Sequence, residues 1–289
     1  MSKYLRPEDL RRLARYDIAA QLVVEGYLSG HRRSRQRGSS IEFHDYRAYS
    51  PGDDPALVDW RLFARTDRPY LRTFELETTL ECHVLLDSSA SMGFAGGAQG
   101  SKLEYASFFA ACLAWLVVRD HDRVSMHLFD EKIRRHFAPG STRQHLHELT
   151  SALEANAPGK QTNLPEALRR VHPMLTRRGA LVVLSDFYAP AEQVFAALNP
   201  FLHRGFRIHL FHVLAPEELE LPDAGLVRFE DMEDASRLTV HTAALRDDYR
   251  ETMRQHVQAY RRLAASRRVD YALARTDGSF FTLFDRLSA

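Results

Sequence analysis

Several features are scarce in this chain, and each scarcity excludes a class of protein. Only two cysteines, Cys82 and Cys112, occur in 289 residues. Because both lie in apolar segments, they are typical of core thiols in a reducing compartment rather than of a disulfide framework. The longest apolar run, at 108–118, is far shorter than the ~20 residues that a membrane helix requires. We therefore expect no membrane span.

Leader and charge signals are also missing. The first residues lack the apolar core of a signal peptide, so we expect a cytoplasmic protein. Lys plus Arg number 39 and Asp plus Glu number 38, so no overall charge favours a nucleic acid. The basic loop at 31–37 is more typical of a solvated surface, or of a contact with an acidic partner, than of a phosphate-binding site.

Common enzyme signatures are absent as well. The sequence has no P-loop and no Gly-x-Gly-x-x-Gly, and its 14 histidines do not show the spacing of a zinc-protease helix. Neither Ser89 nor Ser91 has the flanking glycines of a nucleophile elbow. These absences favour a binding protein over an enzyme.

From Leu80 onwards the sequence alternates between apolar strands and helices. Strands are predicted at 82–87, 123–129, 179–185, 206–213 and 269–274, with a short antiparallel edge strand at 132–137 and a hairpin at 226–230 and 238–242. Helices are predicted at 102–119, 142–154, 164–175, 191–202 and 243–267. Strands separated by helices imply an α/β fold with a mostly parallel central sheet and helices on both faces.

A short oxygen-rich motif follows the first of these strands. Asp87, Ser89 and Ser91 alternate along the loop, Thr162 precedes a predicted helix, and Asp186 ends another strand. Ligands of open α/β sheets collect outside the carboxyl ends of the strands, so we expect these side chains to meet there. Hydroxyls with few carboxylates favour a hard cation such as Mg²⁺ and leave it positive enough to attract an acidic group.

In order and context, these five residues resemble the metal-ion-dependent adhesion site of von Willebrand factor A domains. The resemblance covers 80–289 and implies the Rossmann-like fold of those domains. It also implies that Ser89, Ser91 and Thr162 contact Mg²⁺, or Mn²⁺ or Ca²⁺ in its place, directly or through water. Asp87 and Asp186 would hold coordinating waters and orient the hydroxyls.

A second set of motifs lies before this region, after a predicted helix at 7–28. Glu-Phe-x-Asp-x-Arg at 42–47, Pro-Gly-Asp-Asp at 51–54, Asp-Trp at 59–60 and Ala-Arg-Thr at 64–66 occur in this order. This order resembles the bacterial family called domain of unknown function 58, whose members carry a von Willebrand-like domain behind the signature. The chain is therefore predicted to have a β-containing N-terminal elaboration at 1–79, packed on a main domain at 80–289.

Many residues of this signature are charged, and we expect them to form an internal salt-bridge network rather than a partner surface, because buried charges are usually paired. They are Asp45, Arg47, Asp53, Asp54, Asp59, Arg65 and Arg72.

The second resemblance also implies a function. Members of that family are commonly linked with MoxR-type AAA+ ATPases. We therefore expect an adaptor or co-chaperone whose Mg²⁺ grips an acidic residue of the ATPase or of its client. The alternatives are a scaffold with a vestigial metal site, a sensor of an acidic ligand, and a metal-dependent phosphohydrolase. Haloacid-dehalogenase-type phosphatases resemble this chain only at Asp87, since they need a second Asp where this chain has Ser89.

Overall fold

The computed structural model describes residues 3–13, 41–50, 58–76, 80–96, 100–221, 225–230, 232 and 237–287. The chain divides into two compact units. One comprises Met1–Ser29 together with Leu80–Ala289, and the other comprises Gly30–Thr79. The first helix therefore lies in the larger unit, whereas the signature motifs lie in the smaller one.

Ten strands and nine helices are present in the described parts of the chain. The strands are β1 (Ile41–Ala48), β2 (Tyr70–Leu76), β3 (Glu81–Asp87), β4 (Arg123–Phe129), β5 (Ile133–Gly140), β6 (Ala180–Ser185), β7 (Arg207–Leu214), β8 (Leu226–Glu230), β9 (Arg237–His241) and β10 (Asp270–Arg275). The helices are α1 (Pro7–Leu13), α2 (Trp60–Thr66), α3 (Lys102–Arg119), α4 (Arg143–Glu154), α5 (Leu164–Val171), α6 (Ala191–His203), α7 (Pro216–Leu219), α8 (Thr242–Ser266) and α9 (Phe281–Leu287).

Six strands form the central sheet of the larger unit, in the order β10-β7-β6-β3-β4-β5. All neighbours are parallel except β4 and β5, which pair antiparallel at one edge. The predicted α/β fold with a mostly parallel sheet is thus confirmed. The chain builds outward from β3 through β4 to β5 and then returns to the other side of β3 with β6. This reversal of strand order leaves a crevice at the carboxyl ends of β3 and β6, where ligands of such sheets bind.

Apolar side chains cover both faces of this sheet because successive residues of a strand point to opposite sides. Cys82, Val84 and Leu86 pack in one cluster with α3, while Leu85 packs in the other with α5, α6 and α8. The helix after β3 and the helix after β6 therefore lie on opposite faces. Because the two helices lead to opposite faces of the sheet, a crevice opens between the loop after β3 and the loop after β6.

The smaller unit contains β1 and β2, paired antiparallel, with α2 between them in sequence. Asp59 begins α2: its Oδ1 accepts hydrogen bonds from the backbone N–H groups of Arg61 (3.0 Å) and Leu62 (3.1 Å). The Asp of the Asp-Trp motif is therefore a helix N-cap. Other predictions lie outside the described residues: the end of the predicted helix at 7–28, the basic loop at 31–37, and most of the predicted salt-bridge network, namely Asp53, Asp54 and the side chains of Asp45, Arg47 and Arg72.

Two details differ from the sequence prediction. The helix predicted at 164–175 ends at Val171 and continues as a 3₁₀ turn, His172–Met174. Pro173 has no N–H with which to continue the α-helical ladder, which accounts for the early end. The short helices α2, α7 and α9 were not predicted. No helix of the described residues is both long and apolar enough to cross a membrane.

Candidate metal centre

The carboxylate of Asp87 joins three loops at the crevice. Asp87 is fully buried, and its Oδ1 accepts a hydrogen bond from the backbone N–H of Ser89 at 2.9 Å. Its Oδ2 accepts from the Thr162 hydroxyl at 3.0 Å and from the Ser185 hydroxyl at 2.7 Å. One buried side chain thus holds together the loop after β3, the loop before α5 and the end of β6.

The hydroxyls of Ser89 and Ser91 lie side by side next to this carboxylate. A 3₁₀ turn at Ser91–Gly93 brings their Oγ atoms to 3.1 Å from each other. Four of the five predicted residues, Asp87, Ser89, Ser91 and Thr162, are therefore brought together through hydrogen bonds. Three of them come from the end of β3 and the loop after it, and Thr162 comes from the loop before α5.

The loop that carries Thr162 is held against the Asp87 loop by backbone hydrogen bonds. The N–H of Gly159 donates to the carbonyl of Ser88 at 2.7 Å, and the N–H of Ala90 donates to the carbonyl of Lys160 at 2.9 Å. A Cβ at residue 159 would overlap Oδ2 of Asp130 and lie 3.1 Å from the carbonyl oxygen of Ser88. Gly159 is thus required by this close approach of two loops.

Asp186, the fifth predicted residue, pairs with a buried lysine. The Lys102 ammonium donates to Oδ2 of Asp186 at 2.8 Å and to Oε1 of Glu218 at 2.6 Å. Lys102 and Asp186 are both 0% exposed. Oδ1 of Asp186 is buried and has no hydrogen-bond partner among the described residues. This orphaned oxygen is able to accept a hydrogen bond from a coordinated water.

The backbone directly after Asp186 is strained. Phe187 adopts a left-handed conformation with φ 50°, which is rare for a bulky residue. It is 1% exposed, and its N–H donates to the Ser185 hydroxyl at 3.1 Å. Strain of this kind collects at functional sites and persists when the surroundings enforce it. With this turn, the Asp186 carboxylate pairs with Lys102 while the neighbouring Ser185 hydroxyl donates to Asp87.

The electrostatics of the centre fit a divalent cation. Burial, and then the nearby negative charge of Asp186, raise the pKa of Asp87 to about 7. The Lys102 ammonium contacts Asp186 and Glu218, and the charge of Asp186 is felt at Asp87, so these three carboxylates and one ammonium carry an excess of two negative charges when all are ionised. The described residues hold no group of three His, Cys, Asp or Glu side chains suited to a metal. The oxygen atoms available as metal ligands are hydroxyls, with the carboxylates lying behind them. Such a set suits a hard, partly hydrated ion.

Sequence reasoning missed several residues of this centre. Lys102 looked like an ordinary first-turn helix residue, and the only signal for Ser185 was a hydroxyl directly before Asp186. Glu218 lies more than 30 residues beyond Asp186 in the chain, in a helix that was not predicted. Its Oε2 accepts from the backbone N–H of Ala215 at 2.8 Å, so it also holds its own segment in place.

Three of the described histidines contact groups within the central sheet. His145 contacts the carbonyl of Val124 at 2.8 Å, and the ring of His212 lies 2.8 Å from the Tyr271 hydroxyl. His209 lies 3.3 Å from Asp270. These contacts are those expected of scattered core and surface histidines.

The fold and this centre define an α/β protein with a hydroxyl-rich, acidic site at the carboxyl edge of its sheet. The chain belongs to the family described as Protein of unknown function DUF58, which it matches over residues 45–259. It is 29% identical over 254 residues to uncharacterised proteins of Mycobacterium tuberculosis and Mycobacterium bovis, covering 86% of this chain and 79% of each relative.

Solved structures show a more distant likeness. A conserved hypothetical protein BatB from Bacteroides thetaiotaomicron is 20% identical, with 72% of this chain and 97% of that chain covered and a TM-score of 0.48. An aerotolerance-related membrane protein from Bacteroides fragilis is 19% identical, with 72% and 98% covered and a TM-score of 0.49. A likeness at these TM-scores supports no inference about function.

Proposed function

We propose that this protein is a Mg²⁺-dependent protein-binding adaptor whose larger unit is a von Willebrand factor A-like domain with a metal-ion-dependent adhesion site. The observation that carries the proposal is the hydrogen-bonded cluster of Asp87, Ser89, Ser91 and Thr162 at the reversal of strand order. The unpartnered Oδ1 of Asp186 and the negative excess around Lys102 support it further.

In this proposal the hydroxyls of Ser89, Ser91 and Thr162 face the ion, and Asp87 and Asp186 hold its waters. Mg²⁺, or Mn²⁺ or Ca²⁺, would supply a positive charge that neutral hydroxyls do not cancel, and a partner carboxylate would complete its shell. Asp87 orients Thr162 and receives the backbone N–H of Ser89, so it positions ligands from two loops at once. Such orienting contacts typically change metal affinity by about 10–100-fold.

The proposed partner is a MoxR-type AAA+ ATPase or its client, contacted through an acidic residue in the cytoplasm. This part of the proposal rests on the family resemblance. Its direct test is capture of a purified MoxR-type ATPase on the immobilised protein, in Mg²⁺ and in chelator. Capture at full strength in chelator would move the interface away from the metal centre.

The metal centre itself is tested by the double substitution Ser89→Ala with Ser91→Ala. We expect calorimetry to show loss of Mg²⁺ binding, because two of three hydroxyl ligands are removed, while thermal unfolding stays close to wild type. The control is Ser141→Ala with Ser151→Ala, which removes two exposed hydroxyls elsewhere in the same unit. Equal Mg²⁺ affinity in both double variants would contradict the assignment of the centre.

Two other results would favour the alternatives. If the wild-type protein takes up no divalent ion at millimolar concentration, the centre is vestigial and the protein acts as a scaffold. If it releases phosphate from p-nitrophenyl phosphate in a metal-dependent reaction lost in Asp87→Asn, it is a phosphohydrolase rather than an adaptor.

A further inference from the structure

A large cleft opens directly beside the candidate metal centre. Its volume is about 1000 Å³, at the upper end of the range of ligand pockets. Ser91 and Thr162 form part of its lining, so the hydroxyls proposed to hold the ion stand at one side of the cleft. The opposite wall comes from the segment after β7, which includes α7 and β8. A ligand bound at the metal would therefore extend into this cleft.

The cleft has a largely apolar wall. Phe94, Leu221, Phe229 and Met232 contribute to it, together with the ring of Tyr188. Met232 is 47% exposed and Tyr188 is 43% exposed, which is high for side chains of this size. Adjacent exposed apolar side chains in a concave surface mark an interaction site.

The charged side chains that line the cleft are acidic. Its charged lining residues, within the part of the chain that the structure describes, are Glu217, Glu218 and Glu230. Lys102 pairs with Glu218, and Arg237 pairs directly with Glu230 at 3.1 Å; this second pair is solvent-exposed and contributes little, so an incoming cation competes with Arg237 for Glu230. A purely acidic peptide would therefore be repelled from the cleft, and a cationic group would be attracted.

We propose that this cleft binds an extended peptide segment of the partner in which an acidic residue is followed by a large apolar residue and then by Arg or Lys. The carboxylate would lie at the metal, the apolar side chain against Phe94 and Phe229, and the cation near Glu217 and Glu230. The inference deepens the proposed adaptor function and rests on it for the position of the carboxylate. The apolar and cationic parts rest on the cleft alone.

The experiment measures binding of synthetic peptides to the full chain by fluorescence anisotropy in Mg²⁺ and in chelator. The first probe is Gly-Asp-Gly-Phe-Arg-Gly-amide with a fluorophore on its N-terminal amine. Matched probes replace Phe by Ala, Arg by Ala, or Asp by Asn. Ala95→Trp, which places an indole in the cleft from an exposed position, is compared with Ala265→Trp on the exposed side of α8.

We expect the Phe-containing probe to bind roughly tenfold or more tightly than its Ala counterpart, because a buried Phe contributes that much to affinity. Ala95→Trp should remove this difference, and Ala265→Trp should preserve it. Equal affinity of the Phe and Ala probes would overturn the cleft inference while leaving metal-dependent binding of Asp intact. The opposite outcome separates the two proposals. If the Asp and Asn probes bind with equal affinity in Mg²⁺, the proposed docking of the carboxylate at the metal is wrong. The cleft inference is still supported if the Phe probe binds more tightly than the Ala probe and Ala95→Trp removes that difference.

Discussion

At the scale of single residues, the buried ammonium of Lys102 decides how the candidate centre is charged. It lies within hydrogen-bond distance of carboxylates from two elements, Asp186 after β6 and Glu218 in α7. Its Nζ also lies 5.2 Å from the centre of the Tyr188 ring. The Lys102 side chain thus contacts both Asp186 of the candidate centre and residues that line the cleft.

Replacing this lysine by an apolar residue of similar length, Lys102→Met, should destabilise the protein. Two carboxylates would lose a buried partner, and breaking a buried pair in this way costs about 3–5 kcal/mol. We expect urea unfolding to show this loss and added Mg²⁺ to recover part of it. Lys3→Met provides the control, because it removes an exposed pair with Glu104 at 2.6 Å. Similar unfolding midpoints for the two variants would contradict the charge balance described for the centre.

At the scale of elements, local sequence determines where the helices begin. The Ser101 hydroxyl accepts from the N–H of Glu104 at 3.1 Å, and α3 spans the predicted Lys102–Arg119. Asn163 likewise accepts from the N–H of Glu166 at 3.2 Å, at the predicted start of α5. These boundaries were predictable because a capping residue acts within its own turn.

The loop before α5 carries Thr162, and its position depends on Gly159. In Gly159→Ala the new Cβ would overlap the Asp130 carboxylate and press on the carbonyl oxygen of Ser88, so the carboxylate and the loop must both adjust. We expect a loss of stability of about 1–3 kcal/mol, typical of overpacking, and weaker Mg²⁺ binding as Thr162 moves. Calorimetry and thermal unfolding measure both.

Gly278→Ala is the matched control for this substitution. Gly278 is exposed, and its added Cβ would meet a single atom, the carbonyl oxygen of Arg275 at 3.3 Å. If Gly159→Ala binds Mg²⁺ as tightly as Gly278→Ala does, then the contact between the two loops does not position Thr162.

At the scale of the whole molecule, buried histidines link stability to pH. Burial lowers the pKa of His83 and His209 to about 4 and that of His127 and His212 to about 3, from an ordinary value of 6.5. Between these values the unfolded chain binds protons that the folded chain does not. Their contribution to stability is therefore complete above pH 6.5 and is lost as the pH falls towards 4.

Urea unfolding at pH 7.5, 6.0 and 5.0 should show this decline, on the order of several kcal/mol over the range. His127→Leu should make the decline shallower, because it removes one buried proton acceptor from the balance. His147→Gln, at an exposed position, should leave the slope as in wild type. A stability that is flat from pH 7.5 to 5.0 would contradict the buried neutral state of these rings.

The sequence by itself determined most of the elements and singled out the side chains that the structure brings together around Asp87. Short apolar runs placed most strands and helical spacing placed most helices, since the apolar pattern of one segment is a local property. Asp87, Ser89 and Ser91 were visible because all three belong to one short loop. The order of motifs at 42–66 also pointed to the family that the chain matches.

Only the tertiary structure decided what these residues meet. The placement of β6 beside β3, rather than beyond β5, brings Ser185 to Asp87 across 98 residues of sequence. The same arrangement brings Glu218 to Lys102 across 116 residues and brings the segment with α7 and β8 to one wall of the cleft; of this segment the sequence predicted only the strand β8. Strand order and such distant pairs depend on how all the apolar faces are buried together, and no single segment carries that information.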